Sequence, residues 1–139
     1  VGGRKAGDAG FTGFGVDGRG NVLFTVAPLF QAFVLSPEGE LRGFGVRGSS
    51  PGKFNVVGGI AADPDGNLYV TDVLRSVVMV FDAAFEFQGE FGYRGDGPGN
   101  LIAPRDLVVG DGQVFVTQSA ARGVSVFRIG PSRGAARST

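Results

Sequence analysis

Gly59-Ile60-Ala61-Ala62-Asp63-Pro64-Asp65-Gly66-Asn67-Leu68-Tyr69-Val70-Thr71-Asp72 reads as strand, reversal, strand. The apolar run 60–62 ends at Asp63, and the Asp65-Gly66-Asn67 corner supplies the positive φ that a tight hairpin requires. Residues 68–71 form the returning strand. Downstream, 77–81 is apolar and valine-rich, as a buried strand tends to be. Residues 86–91 set Phe87 between polar neighbours, as a half-exposed outer strand should. The stretch is a four-stranded antiparallel unit, and no helical period runs anywhere in the chain.

The unit recurs on both sides. Gly20-Asn21-Val22-Leu23-Phe24-Thr25 and Gly112-Gln113-Val114-Phe115-Val116-Thr117 stand 46 residues before and after Gly66-Asn67-Leu68-Tyr69-Val70-Thr71. Phe33-Val34-Leu35, Met79-Val80-Phe81 and Ser125-Val126-Phe127 keep that offset. The linker Gly48-Ser49-Ser50-Pro51-Gly52-Lys53-Phe54 returns, one residue later, as Gly95-Asp96-Gly97-Pro98-Gly99-Asn100-Leu101. Tandem four-stranded units of about 40–50 residues are the mark of propeller blades. The expected fold is therefore all-β, with three β-propeller blades over residues 1–130, divided at about 1–46, 47–93 and 94–130. A polar, basic tail follows at 131–139. The third unit runs into Gly130-Pro131-Ser132-Arg133, so its outer strand is expected to be missing and the strands to number eleven. Three blades leave two apolar sheet faces and a bare edge at 124–127. The rest of the propeller is thus expected from a missing N-terminal half of a longer chain, or from a second copy.

With these residues in place, the middle unit is similar to the NHL repeat. It shows Gly59-Ile60-Ala61-Ala62-Asp63, then Asp65-Gly66-Asn67-Leu68-Tyr69-Val70-Thr71-Asp72, then Val78-Met79-Val80-Phe81-Asp82, and closes on Phe91-Gly92. The resemblance spans about residues 1–130 and is looser in the flanking units. It implies a six-bladed β-propeller that binds proteins, RNA or small ligands, with lyase or hydrolase activity in a minority. It also implies a bacterial protein in the periplasm or outside the cell. Two family positions depart. The Asp ending the second strand is kept as Asp72 but replaced by Val26 and Gln118, and the Arg opening the third falls on Gln31, Val77 and Gly123. Such a pair is structural glue between strands, so its loss marks divergence.

Composition narrows the chemistry. The 139 residues include 26 Gly, 13 Lys+Arg against 13 Asp+Glu, and no His, Cys or Trp. Without His there is no Ser-His-Asp triad, no HExxH zinc site and no imidazole base. Without Cys there is no thiol nucleophile, disulfide or thiolate metal site. No catalytic residue, metal ligand or cofactor is assigned. The balanced charge makes nucleic acid an unexpected partner, and no apolar run has the roughly 20 residues that span a bilayer.

Several strings imitate known motifs. Gly13-Phe14-Gly15-Val16-Asp17-Gly18 and Gly43-Phe44-Gly45-Val46-Arg47-Gly48 match G-x-G-x-x-G, but that site must open a helix. Here a hairpin follows the first and Pro51-Gly52 the second. Gly48-Ser49-Ser50-Pro51-Gly52 matches G-x-S-x-G without the strand–helix turn or the His it needs. Asp63-Pro64-Asp65-Gly66-Asn67 matches the start of a calcium loop, yet the later ligands are absent and a hairpin turn accounts for it.

The loops between second and third strands, with those entering the first strand, carry the candidate site. The resemblance places both sets on one propeller face, around the channel mouth. They hold Pro28, Leu29, Phe30, Val73, Leu74, Arg75, Arg105, Asp106 and Arg122. One reading is an arginine-flanked apolar lip for a protein or a small anionic ligand. The other packs Leu29, Phe30 and Leu74 beneath the loops and leaves the arginines solvated. The leading function is a non-catalytic binding or scaffold module that uses one propeller face to hold a protein partner, with a subunit role in a larger envelope or extracellular assembly as one form of it. The alternative is a propeller lyase or hydrolase whose carboxylate-held divalent metal is completed by the missing half of the ring.

Overall fold

The structure, a computed structural model, describes residues 11–119 and 123–129, and the backbone of 136–138. Three antiparallel sheets follow one another along the chain. The first holds β1 (Phe11–Val16), β2 (Val22–Val26), β3 (Gln31–Leu35) and β4 (Leu41–Phe44). The second holds β5 (Val57–Ala62), β6 (Leu68–Asp72), β7 (Val77–Phe81) and β8 (Phe87–Gly92). The third holds β9 (Pro104–Gly110), β10 (Gln113–Gln118), β11 (Val124–Ile129) and β12 (Ala136–Ser138). In each sheet the strands lie in sequence order, as a succession of hairpins requires.

One expectation is corrected here. The third sheet does have an outer strand, because Ala136, Arg137 and Ser138 pair with Ile129, Arg128 and Phe127. A strand edge exposes unpaired N–H and C=O groups, and any extended backbone can answer them. Side-chain pattern is not needed for that, so the polar tail gave no sign of it.

Carboxylates build the hairpin corners. Asp63 accepts the backbone N–H of Asp65 and of Asn67, each at 3.0 Å, and Asp17 accepts those of Arg19 and Asn21 at 2.9 Å. Gly20 and Gly66 take φ of 83° and 89° at the same corners, where a Cβ would be strained. Asp82 repeats the device between β7 and β8, holding Ala84 and Glu86 at 2.9 Å.

Alternation then distributes the core. Along β6, Leu68 and Val70 face the first sheet and meet Leu23, Ala32 and Val34, while Tyr69 faces the third and meets Val114, Val116 and Phe127. On β7, Met79 and Phe81 join the first cluster, and Val78 and Val80 the second. The central strands β6 and β7 are buried on both faces.

The inner strands β1, β5 and β9 run side by side, close enough to demand glycine. A Cβ on Gly59 would stand 2.9 Å from the Asp106 Cα, and one on Gly13 would stand 2.8 Å from the Gly59 Cα. A threonine at one repeat position fastens each junction. The Thr71 hydroxyl accepts the Gly59 N–H of its own sheet at 2.8 Å and donates to the Arg105 carbonyl of the next at 3.0 Å. Thr25 likewise donates to the Gly58 carbonyl of the second sheet. Thr117 accepts the Asp106 N–H at 3.1 Å and donates within its own sheet, to the Asp106 carbonyl.

Candidate functional site

Strand direction alternates, so the connections divide between two ends of the stacked sheets. One end carries the hairpin corners at 17–21, 36–40, 63–67, 82–86 and 111–112. The other carries the loops after β2 and β6 and the long linkers 45–56 and 93–103, and the candidate residues lie there.

The loop after β2 is a 3-10 turn, Ala27–Leu29, closed by Phe30 at φ 55°. Pro28 and Leu29 are exposed, Leu29 by 44%. Phe30 is half-buried, with the Arg47 guanidinium 4.9 Å above its ring centre. After β6, the buried Asp72 carboxylate accepts the N–H of Asn55 at 2.6 Å and of Arg75 at 3.0 Å, which ties linker and loop together. Gln118 does the same work in the third sheet, its Oε1 accepting the Ile102 N–H at 2.8 Å. Val73 is partly covered, and Leu74 projects from the tip, 62% exposed. Neither Leu29 nor Leu74 is packed beneath its loop.

The arginines separate. Arg75 turns inward and pairs with Glu90 on β8 at 2.5 Å, the side chains being only 10% and 3% exposed. It also donates to the Lys53 carbonyl at 3.1 Å. Arg75 is therefore a fastening between loop, linker and outer strand, and is not an open lip cation. Arg105 is exposed and donates to the Ser119 hydroxyl at 3.0 Å. Asp106 is exposed beside it, taking the Leu107 N–H at 2.9 Å. Arg122 lies outside the described residues.

The linkers add residues that loop reasoning did not find. Arg47, Lys53 and Arg94 are exposed there, and with Arg105 they face two exposed carboxylates, Asp96 and Asp106. The opposite end is acidic: Glu38, Glu40, Asp65, Glu86 and Asp111 are exposed against Arg19, Arg42 and Arg128. A chain of formal charge zero thus carries a basic and an acidic end among its described residues. Exposed Val46, Val56 and Tyr93 also stand at the basic end, beside Leu29 and Leu74. Their only sign in sequence was an apolar residue inside a Gly-rich linker. Burial and the neighbouring Glu90 raise the Tyr93 pKa, so its phenol stays protonated there.

Elsewhere the polar groups are occupied by the fold. A 260 Å³ cleft between the first two corners is lined by Asp17, Arg19 and Asp63. Both carboxylates are spent on their own turns, Asp63 also accepting the Tyr69 hydroxyl at 3.0 Å. Burial opposes ionisation of Asp17, but its bonds from Asn21 and Arg19 outweigh it and hold the carboxyl below its usual range. The groove along the inner strands is lined by Phe14, Val16, Ile60, Ala61, Leu107 and Val108, with no ionisable side chain among them.

Solved structures of the same form are β-propeller proteins. Virginiamycin B lyase from Staphylococcus aureus matches 95% of this chain over 41% of its own, at 16% identity and a TM-score of 0.67. XC5397, a gluconolactonase from Xanthomonas campestris, matches 94% over 47%, at 15% identity and a TM-score of 0.62. Glutaminyl cyclase from Myxococcus xanthus matches 88% over 48%, at 15% identity and a TM-score of 0.60. The chain spans less than half the length of each. No family model and no curated protein matches it. The class is settled by the sheets and these likenesses: three successive β-propeller blades.

Proposed function

We propose that the chain is a non-catalytic binding module of the NHL-repeat kind, whose loop end holds an acidic, partly apolar segment of a protein partner. One observation carries this: exposed Leu29, Leu74, Val46 and Tyr93 share an end with Arg47, Lys53, Arg94 and Arg105, while the opposite end is acidic. Apolar side chains rimmed by like charge fit a ligand that is both greasy and anionic, and the charge polarity orients its approach. Two of the carboxylates at that end are engaged by the fold: Asp72 is filled by backbone donors, and Glu90 by Arg75.

The test is an array of synthetic peptides mixing Glu with Leu or Phe, read by fluorescence anisotropy. Leu74→Ser and Lys53→Glu should each weaken the best peptide about tenfold, whereas Glu38→Lys and Asp65→Lys at the far end should not. Equal losses at both ends would overturn the assignment. Tighter binding of a uridine 20-mer, lost in Lys53→Glu and steeply salt-dependent, would replace the protein partner with RNA.

A further inference from the structure

The linkers 45–54 and 92–101 are one turn built twice, at a 47-residue offset. The Phe54 N–H donates to the Val46 carbonyl at 2.8 Å, and the Leu101 N–H to the Tyr93 carbonyl at 3.0 Å. Inside each lies a Pro-Gly turn, closed by the Lys53 N–H on the Ser50 carbonyl at 3.1 Å and by the Asn100 N–H on the Gly97 carbonyl at 3.0 Å. Phe54 and Leu101 are fully buried against the glycine that opens each linker. A Cβ on Gly45 or Gly92 would stand 2.7 Å from the Phe54 ring or the Leu101 methyl. The side chains that follow the opening glycine take no part in this closure. There each linker sets an exposed apolar side chain, Val46 at 63% and Tyr93 at 51%, and then an exposed arginine, Arg47 or Arg94. Val and Tyr differ in shape, so what repeats is a chemistry rather than a residue.

The two linkers also take equivalent places among the loops. The first is wedged between the loop after β2 and the loop after β6. Its Arg47 guanidinium covers the Phe30 ring, its Asn55 and Val56 N–H groups bond to Asp72, and its Lys53 carbonyl accepts Arg75. The second runs from the loop after β6 to the end of β10. There the Ala103 N–H donates to the Ser76 hydroxyl at 3.1 Å and the Ile102 N–H to Gln118. Leu29, Val46, Leu74 and Tyr93 therefore succeed one another across the first and second blades, with Arg47, Lys53 and Arg94 among them. The second unit is the less basic, because Asn100 stands in the place of Lys53 and Asp96 in that of Ser49.

Given the loop end as the binding end proposed above, we infer that its partner is an extended polypeptide segment that runs from the first blade to the second and carries one apolar–acidic unit for each linker. An apolar tip beside an arginine complements an apolar residue beside a carboxylate. Two such tips stand on one folded frame, so the second contact becomes intramolecular once the first has formed. A two-unit segment then gains affinity without any new kind of contact, and a one-unit segment does not.

Isothermal titration with two synthetic peptides tests this. One holds a single Leu-Glu-Glu unit, and the other two such units joined by Gly/Ser spacers of graded length. Two single-unit peptides should bind per chain, but only one two-unit peptide, about a hundredfold more tightly at the best spacer. Stoichiometry and spacer dependence are read on the wild-type chain, so they stand even where a variant folds poorly. Val46→Ser with Arg47→Glu, and Tyr93→Ser with Arg94→Glu, should each return the two-unit peptide to single-unit affinity and halve the single-unit stoichiometry. Circular dichroism should not change, because these side chains are exposed, and Glu38→Gln at the far end should alter neither readout. A two-unit peptide no tighter at any spacer, or one whose gain is lost with only one of the linkers changed, would overturn the inference and leave the binding end standing. No binding of either peptide would overturn both, and retention on phosphatidylserine vesicles in that case would give the surface to an anionic membrane.

Discussion

Arg75 and Glu90 form an ion pair at 2.5 Å that fastens the loop after β6 to the outer strand β8, and Glu90 also accepts the Gly52 N–H at 3.1 Å. Three segments distant in sequence thus meet at one buried carboxylate. Removing a single partner leaves the other charge desolvated with only neutral hydrogen-bond partners, at a cost of about 3 kcal/mol. Arg75→Ala should lower the urea midpoint accordingly, and Arg75→Met with Glu90→Leu should recover most of the loss. A single variant as stable as wild type would show the pair to be idle.

Thr71 is predicted to hold two sheets at once. Thr71→Val keeps shape but strips a partner from the buried Gly59 N–H and from the Arg105 carbonyl. The expected loss is about 1–3 kcal/mol, measured by chemical denaturation. Amide exchange should quicken most at Gly59, and unchanged protection there would refute the linkage.

Gly59→Ala should be more damaging than its size implies. The new Cβ would meet backbone, the Asp106 Cα at 2.9 Å, so no rotamer change relieves it. Forcing β5 and β9 apart is expected to cost about 1–3 kcal/mol. Gly39→Ala, at an open corner, meets no atom within 4 Å and bears only the strain of its φ of 90°. A lower melting temperature for Gly39→Ala than for Gly59→Ala would contradict close approach as the dominant effect.

Alkaline pH should destabilise the chain through Tyr69. Burial, with Asp63 and Asp65 nearby, raises its pKa far above the usual value for a phenol. The folded state therefore holds this proton more tightly than the unfolded one, and the stabilisation is complete below about pH 10. It falls as pH rises above that value, toward the folded pKa. Absorbance at 295 nm reports only the two tyrosines, since Trp is absent. The Tyr69 phenol should stay protonated at pH 11 in the native chain and ionise on adding urea. Tyr69→Phe should flatten the alkaline fall, and an unaltered slope would exclude Tyr69 as its source.

Much of the fold was legible because its determinants are local. The Asp63 corner and the alternation Leu68, Tyr69, Val70 each act within a few residues, and the 46-residue offset repeats them. Leu29 and Leu74 were legible as apolar residues in loops, where burial is unusual. The role of Arg75 was not, because Glu90 is fifteen residues away and becomes buried only when β8 and the linker close over it. Arg47, Lys53 and Arg94 were missed because a sum of charges carries no geometry.

Sequence by itself determined the strands, their hairpin order and the identity of the blades, since backbone conformation and two-residue periodicity are properties of neighbouring residues. Only the tertiary structure decided which arginine is a fastening and which stands in solvent. It also decided that charge divides between two ends, and that β12 closes the edge of β11. Those outcomes depend on strand direction, desolvation and backbone pairing across long separations, which no local pattern encodes.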